Sequence, residues 1–128
     1  MPTDVLQLHF RHAARPAAIG RARREVEGAL ADAGVDPRAS GDLMLLVSEL
    51  VTNAVRHAHG DRFEVRLEVR PEMLRLEVRD EGDGFEPRIE PSLEGCGGYG
   101  LFLVDRLADR WGVERDEGGV IWLELDRA

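Results

Sequence analysis

The stretch LRLEVRDEGDGF, Leu74 to Phe85, decides the fold. Leu74, Leu76 and Val78 alternate with Arg75, Glu77 and Arg79, the two-residue period of a strand with one buried face. The same phase carries Asp80 to the apolar side, and Gly82 and Gly84 follow at once. A carboxylate turned into a core needs partners, or its burial costs several kcal/mol. Two readings are open. Asp80 caps the next turn through backbone amides. Alternatively, it accepts a hydrogen bond from a ligand in an apolar pocket, and the glycines let the backbone pass close to that ligand.

Working outward, Phe63 to Arg70 alternates in the same way and joins Leu74–Asp80 across Pro71-Glu72. The outer positions Glu64, Arg66, Glu68, Arg70, Arg75, Glu77 and Arg79 suit a sheet with one face in water. Val5 to Phe10 reads as a short first strand. Pro16 opens a helical stripe of Ile19, Ala22, Val26, Ala29, Leu30 and Ala33, which Gly34 ends. Asp36-Pro37 is an N-cap with Pro at the first helical position. A second helix runs from there to about Ala58, with Gly60 closing it and a break allowed near Ser40-Gly41. Glu81 to Gly98 has no period and reads as a long loop. A third helix follows, with Leu101, Val104, Leu107 and Ala108 inward. Trp111–Arg115 and Val120–Asp126 form a closing hairpin. The predicted fold is one domain over 1–128, an α/β (α+β) two-layer sandwich. Its mixed, mainly antiparallel sheet is covered on one face by helices.

Composition narrows the function classes. The 128 residues are 43% apolar, enough for one core. No run approaches the roughly 18 apolar residues of a membrane span, and MPTDVLQLHF has no signal-peptide pattern. A lone Cys96 points to a reduced, cytoplasmic setting. The net charge of −8 argues against general nucleic-acid binding, and all 17 basic residues are Arg. Arg21, Arg23 and Arg24 read as a solvated helix face.

The second helix carries chemistry. In SELVTNAVRHA, Ser48 to Ala58, the core stripe is Val47, Leu50, Val51, Ala54 and Ala58. Glu49 and Asn53 lie four apart on a face that borders this stripe. A carboxylate there can take a proton from a hydroxyl or water. An amide oxygen can ligate Mg²⁺, which takes few protein ligands. A polar helix edge is the competing reading. Finally, GCGGYGLFLV, Gly95 to Val104, leads glycines into a helix, where free backbone N–H groups suit phosphate. A flexible loop before a helix is the alternative.

Taken in order, helix Glu and Asn, DEGDGF and a glycine-rich entry to a helix resemble the GHKL ATPase superfamily and its Bergerat ATP-binding fold. SELVTNAVRHA, GLFLVDRLADRWGV and VIWLEL resemble the bacterial anti-sigma-factor serine/threonine kinases within it. The resemblance covers roughly Asp36 to Leu125. It implies ATP and Mg²⁺ as cofactors, with Glu49 as general base and Asn53 as the Mg²⁺ ligand. It also implies Asp80 as acceptor of the adenine amino group, and Gly82 and Gly84 beside the base. Arg56 falls near phosphate, and Gly98, Tyr99, Gly100 and Leu101 form the lid's entry to the helix. The implied activity is phosphorylation of a STAS-fold anti-anti-sigma protein and control of a sigma factor, with a homodimer as the usual assembly. No nucleic acid or membrane is implied as a partner. A nucleotide-gated binding module with little kinase activity is the alternative. Two departures stand out. Cys96 replaces the lid's first glycine, and Val120 falls where the family carries a Thr or Ser on the last strand.

Overall fold

The computed structural model describes residues 6–57, 62–80, 100–114 and 119–127. In chain order the elements are β1 (Leu6–Ala13), α1 (Pro16–Asp32), α2 (Pro37–His57), β2 (Arg62–Val69), β3 (Met73–Asp80), α3 (Gly100–Leu107), β4 (Arg110–Glu114) and β5 (Val120–Asp126). The five strands form one sheet in the order β1-β2-β3-β5-β4. Each of its four pairings is antiparallel, so the described sheet is antiparallel throughout. The expected two-layer sandwich is what the chain builds.

The sheet's inner face follows from alternation. Leu67, Leu76 and Leu123 lie side by side across β2, β3 and β5, and Val65, Val78 and Ile121 form the next row. All six are buried. Truncating one, as in Leu76→Ala, costs roughly 2–5 kcal/mol in a packed core. Helices α1 and α2 pack on each other and on this face, and α3 packs on α2. Their buried stripes are Ala18, Ala22, Val26 and Leu30 on α1 and Leu43, Leu46, Val47, Leu50, Val51 and Ala54 on α2.

The joint between α1 and α2 is fixed by its caps. Gly34 adopts φ +73°, a conformation that glycine enters without strain. The N–H of Val35 donates to the Leu30 carbonyl at 3.0 Å, and that of Gly34 to Ala31 at 3.0 Å. This is a Schellman closure, with Val35 and Leu30 both buried beneath it. Two residues later Oδ1 of Asp36 accepts from the N–H of Arg38 at 2.9 Å and starts α2.

Three expectations need correction. The break near Ser40-Gly41 does not occur: α2 is continuous, with Ser40 N–H on the Asp36 carbonyl at 3.0 Å. One exposed glycine costs about 1 kcal/mol, less than the buried stripe beyond it supplies. The first strand runs on past Phe10 to Ala13, because it pairs with β2 as far as Arg62. Glu64, read as an outward charge in water, is nearly buried on the open face of the sheet.

Candidate functional site

The site gathers where the C-terminal half of α2 meets the ends of β2 and β3. Four residues separate His57 from Arg62, so the last turns of α2 lie near the start of β2. Phe63, next along β2, pairs with Asp80 at the end of β3. The helix amide and the strand carboxylate therefore reach the same end of the sandwich. Helix α2 packs directly against both strands.

Asp80 is fully buried on the helix-facing side. Its backbone N–H donates to the carbonyl of Gly119 at 2.9 Å, which extends the β3–β5 ladder one step. Asn53 is 8% exposed. Its Oδ1 is sealed from solvent and accepts no hydrogen bond from a described residue. Such a sealed acceptor costs about 1–3 kcal/mol unless something fills its lone pairs. Glu49 stands one turn earlier on the same helix face and is half-buried. Arg56 is exposed on the last turn.

Gly100 and Leu101 form the first positions of α3, whose first turn carries no acidic side chain against its positive end. Gly82, Gly84, Gly98 and Tyr99 lie outside the described residues, as do Cys96, Ala58 and Gly60. Among the described residues no cluster of three or more His, Cys, Asp or Glu forms a metal cage. Mg²⁺ chemistry does not require one. It binds through one or two protein oxygens, with water and phosphate filling the rest, and the sealed Asn53 oxygen fits that demand.

The register revises one assignment. Val120 pairs with Arg79, so it lies on the sheet face opposite Asp80. The residue across from Asp80 is Gly119, which offers a carbonyl and no hydroxyl. Sequence reading also passed over His12. It shares the inner face with Phe63 and Asp80, lies tilted against the Phe10 and Phe63 rings with centroids 5.1 and 5.9 Å away, and places Nε2 3.2 Å from Oε2 of Glu25 on α1. Continuing the alternation of β1 beyond Phe10 would have found it.

Comparison with known proteins gives the chain its family. The family model described as histidine kinase-like ATPase domain matches residues 12–125. The serine-protein kinase RsbW of Listeria monocytogenes is 31% identical over 121 residues, covering 82% of this chain and 77% of that protein. Its counterpart from Bacillus velezensis is 30% identical over 134 residues, covering 92% and 84%. Among solved structures, the RsbU and RsbW domains of Rv1364c from Mycobacterium tuberculosis share the fold, with a TM-score of 0.74 at 22% identity. That match covers 96% of this chain, which spans only 33% of the solved one. No helix among the described residues is long and apolar enough to cross a membrane. With a family match over nearly the whole chain and relatives at this identity, the chain belongs to the histidine kinase-like ATPase family, in its GHKL anti-sigma kinase group.

Proposed function

We propose that the chain binds ATP with Mg²⁺ and phosphorylates a serine or threonine of a STAS-fold anti-anti-sigma protein, thereby controlling a sigma factor. The observation that carries the nucleotide reading is the sealed, unfilled Oδ1 of Asn53, one turn from Glu49 and at the same end of the fold as buried Asp80. The RsbW names of the relatives support the choice of a protein serine as acceptor. Asp80 accepts the adenine amino group in a pocket that burial keeps dry. Gly82 and Gly84 let the chain pass the base. Glu49 takes the proton of the attacking hydroxyl, and Asn53 holds the metal. When bound, Mg²⁺ neutralises charge on the phosphate oxygens. Arg56 lies toward the phosphates, and Gly98, Tyr99, Gly100 and Leu101 bring backbone N–H groups to them at the positive end of α3.

A homodimer in the cytoplasm completes this reading. The edge strand β1 supports it, with Leu6, Leu8 and Phe10 only partly covered by the core. The second reading, a nucleotide-gated binding module with little turnover, draws on the missing hydroxyl at Gly119.

Calorimetric titration with ATP, with and without Mg²⁺, tests the site in the wild type and Asp80→Asn. Micromolar-range binding that Mg²⁺ strengthens and the variant abolishes is the expected outcome. Wild-type chain that ignores millimolar ATP defeats the proposal. If ATP binds, transfer of labelled phosphate to the cognate antagonist by wild type but not Glu49→Ala separates kinase from binding module.

A further inference from the structure

Helix α3 is too small to hold its own place. Its eight residues are a length that is marginal for a helix in water. Of its described side chains only Val104 is fully buried. It packs on α2, and polar bonds tie its C-terminal end to the sheet. Ala108 N–H closes the last turn on the Val104 carbonyl at 2.8 Å. Asp109 then grips β5 twice. Its N–H donates to the Glu124 carbonyl at 2.9 Å, and its Oδ2 accepts the N–H of Asp126 at 2.7 Å. One turn earlier, Oδ1 of Asp105 accepts the Nε1–H of Trp111 on β4 at 3.1 Å. Arg110, between these anchors, bonds Glu124 at 2.8 Å and reaches Asp126 as well, so the strand end that Asp109 holds is itself braced.

Helix electrostatics do not favour this residue. A carboxylate just past the C-terminus of a helix meets the negative end of its dipole, and Asp109 stands two residues beyond Leu107. Gly or Asn is the ordinary choice after a helix. What Asp109 supplies there is the acceptor oxygen for Asp126.

We propose, on the nucleotide reading above, that Asp109, seconded by Asp105, is a positioning residue for the phosphate end of the site. The two aspartates pin α3 by its C-terminal end to the β4–β5 edge. The backbone N–H groups of Gly100 and Leu101 stand at the other end. Eight residues of helix span about 12 Å, so a tilt of roughly 10° about the anchor carries that end about 2 Å. Such a step takes an N–H out of hydrogen-bond reach of a phosphate oxygen. Asp80 belongs to β3 and keeps its place. Loss of the anchor therefore falls on the phosphates and spares the base. A carboxylate that merely closed the turn would cost stability when lost and affect ATP and adenosine alike.

The test is calorimetric titration of the full chain with ATP and Mg²⁺, set beside adenosine measured by competition with ATP. Asp109→Ala weakens ATP roughly tenfold, the scale of one hydrogen bond to a charged group. It leaves adenosine within about twofold of wild type. Asp109→Asn keeps an acceptor oxygen and retains ATP affinity. Should Asp109→Ala fail to fold, Trp111→Phe removes the indole N–H, keeps an aromatic ring, and weakens ATP in the same direction with adenosine unchanged. Equal weakening of ATP and adenosine overturns the proposal and makes Asp109 structural. ATP affinity at the wild-type level in both Asp109→Ala and Trp111→Phe overturns it too, as does an Asp109→Asn as weak as Asp109→Ala. A wild type that binds neither ligand ends the nucleotide reading itself, and the positioning role falls with it. A wild type that binds both leaves that reading standing, whatever the variants do.

Discussion

Asp80 and Gly119 face each other across β3 and β5, joined by the N–H of Asp80 on the Gly119 carbonyl at 2.9 Å. A side chain at 119 would share the face of the sheet that Asp80 occupies, because side chains alternate and Val120 lies on the other side. Gly119→Ser should therefore place a hydroxyl beside the carboxylate. One added hydrogen bond to base or carboxylate is worth about 1 kcal/mol, or roughly fivefold in ATP affinity. Calorimetric titration of the variant checks this. Weaker binding would mean that the base itself fills the space above Gly119.

Asn53 should show function and stability pulling apart. Its sealed Oδ1 has no donor among the described residues, so the folded chain gains nothing from it. Asn53→Ala removes an unfilled acceptor whose burial costs about 1–3 kcal/mol, against a small cavity left behind. The melting temperature in the absence of nucleotide should hold or rise, while Mg²⁺ no longer strengthens ATP binding. A clear drop in melting temperature with the Mg²⁺ effect intact would make the amide structural.

The parts legible in the sequence were those fixed by neighbours in the chain. Alternation placed Asp80 inward, Gly34 ended α1 and Asp36 started α2, all within a few residues of the signal. What escaped depended on partners far along the chain. Glu64 alternates as an outward charge, and its cover comes from His9 and Arg11 on β1. β1 extends to Ala13 because Arg62 and Phe63 are there to pair with it. Val120 and Gly119 differ by one position, and only the pairing of Arg79 with Val120 decides which stands across from Asp80. Periodicity gives faces, and register gives neighbours.

Gly112 is held glycine by the indole above it. A Cβ at 112 would fall 2.6 Å from Nε1 of Trp122 and 2.8 Å from two ring carbons. The other partner of that ring is the Arg75 guanidinium, 4.6 Å from its centroid. Gly112→Ala must push the rigid indole away or bend β4. Overpacking of this kind costs about 1–3 kcal/mol. The variant should melt lower and show red-shifted tryptophan emission, read in a Trp111→Phe background so that Trp122 reports alone. Unchanged stability and emission would show that the two strands sit further apart than the register implies.

Acid should unfasten the open face of the sheet, and the sign follows from three carboxylates. Burial opposes ionisation of Glu64, yet hydrogen bonds from Arg11 and Arg66 and the charges of His9 and Arg66 hold its carboxyl below the ordinary 4.5. Arg110 draws Glu124 down, against some desolvation and with help from Arg75, and the same arginine lowers Asp126. In each case the unfolded chain binds the proton more readily. These groups contribute fully above the ordinary carboxylate range, and their contribution is lost as pH falls from about 4.5 through the lower folded values. Glu64→Gln should cost about 1.5–3 kcal/mol at pH 7, the worth of hydrogen bonds to a charged group. Thermal melts from pH 7 to pH 3 should show that deficit shrinking as wild-type Glu64 takes up its proton. A deficit that stays constant across the range would mean that Glu64 stabilises the sheet by packing, with no contribution from its charge.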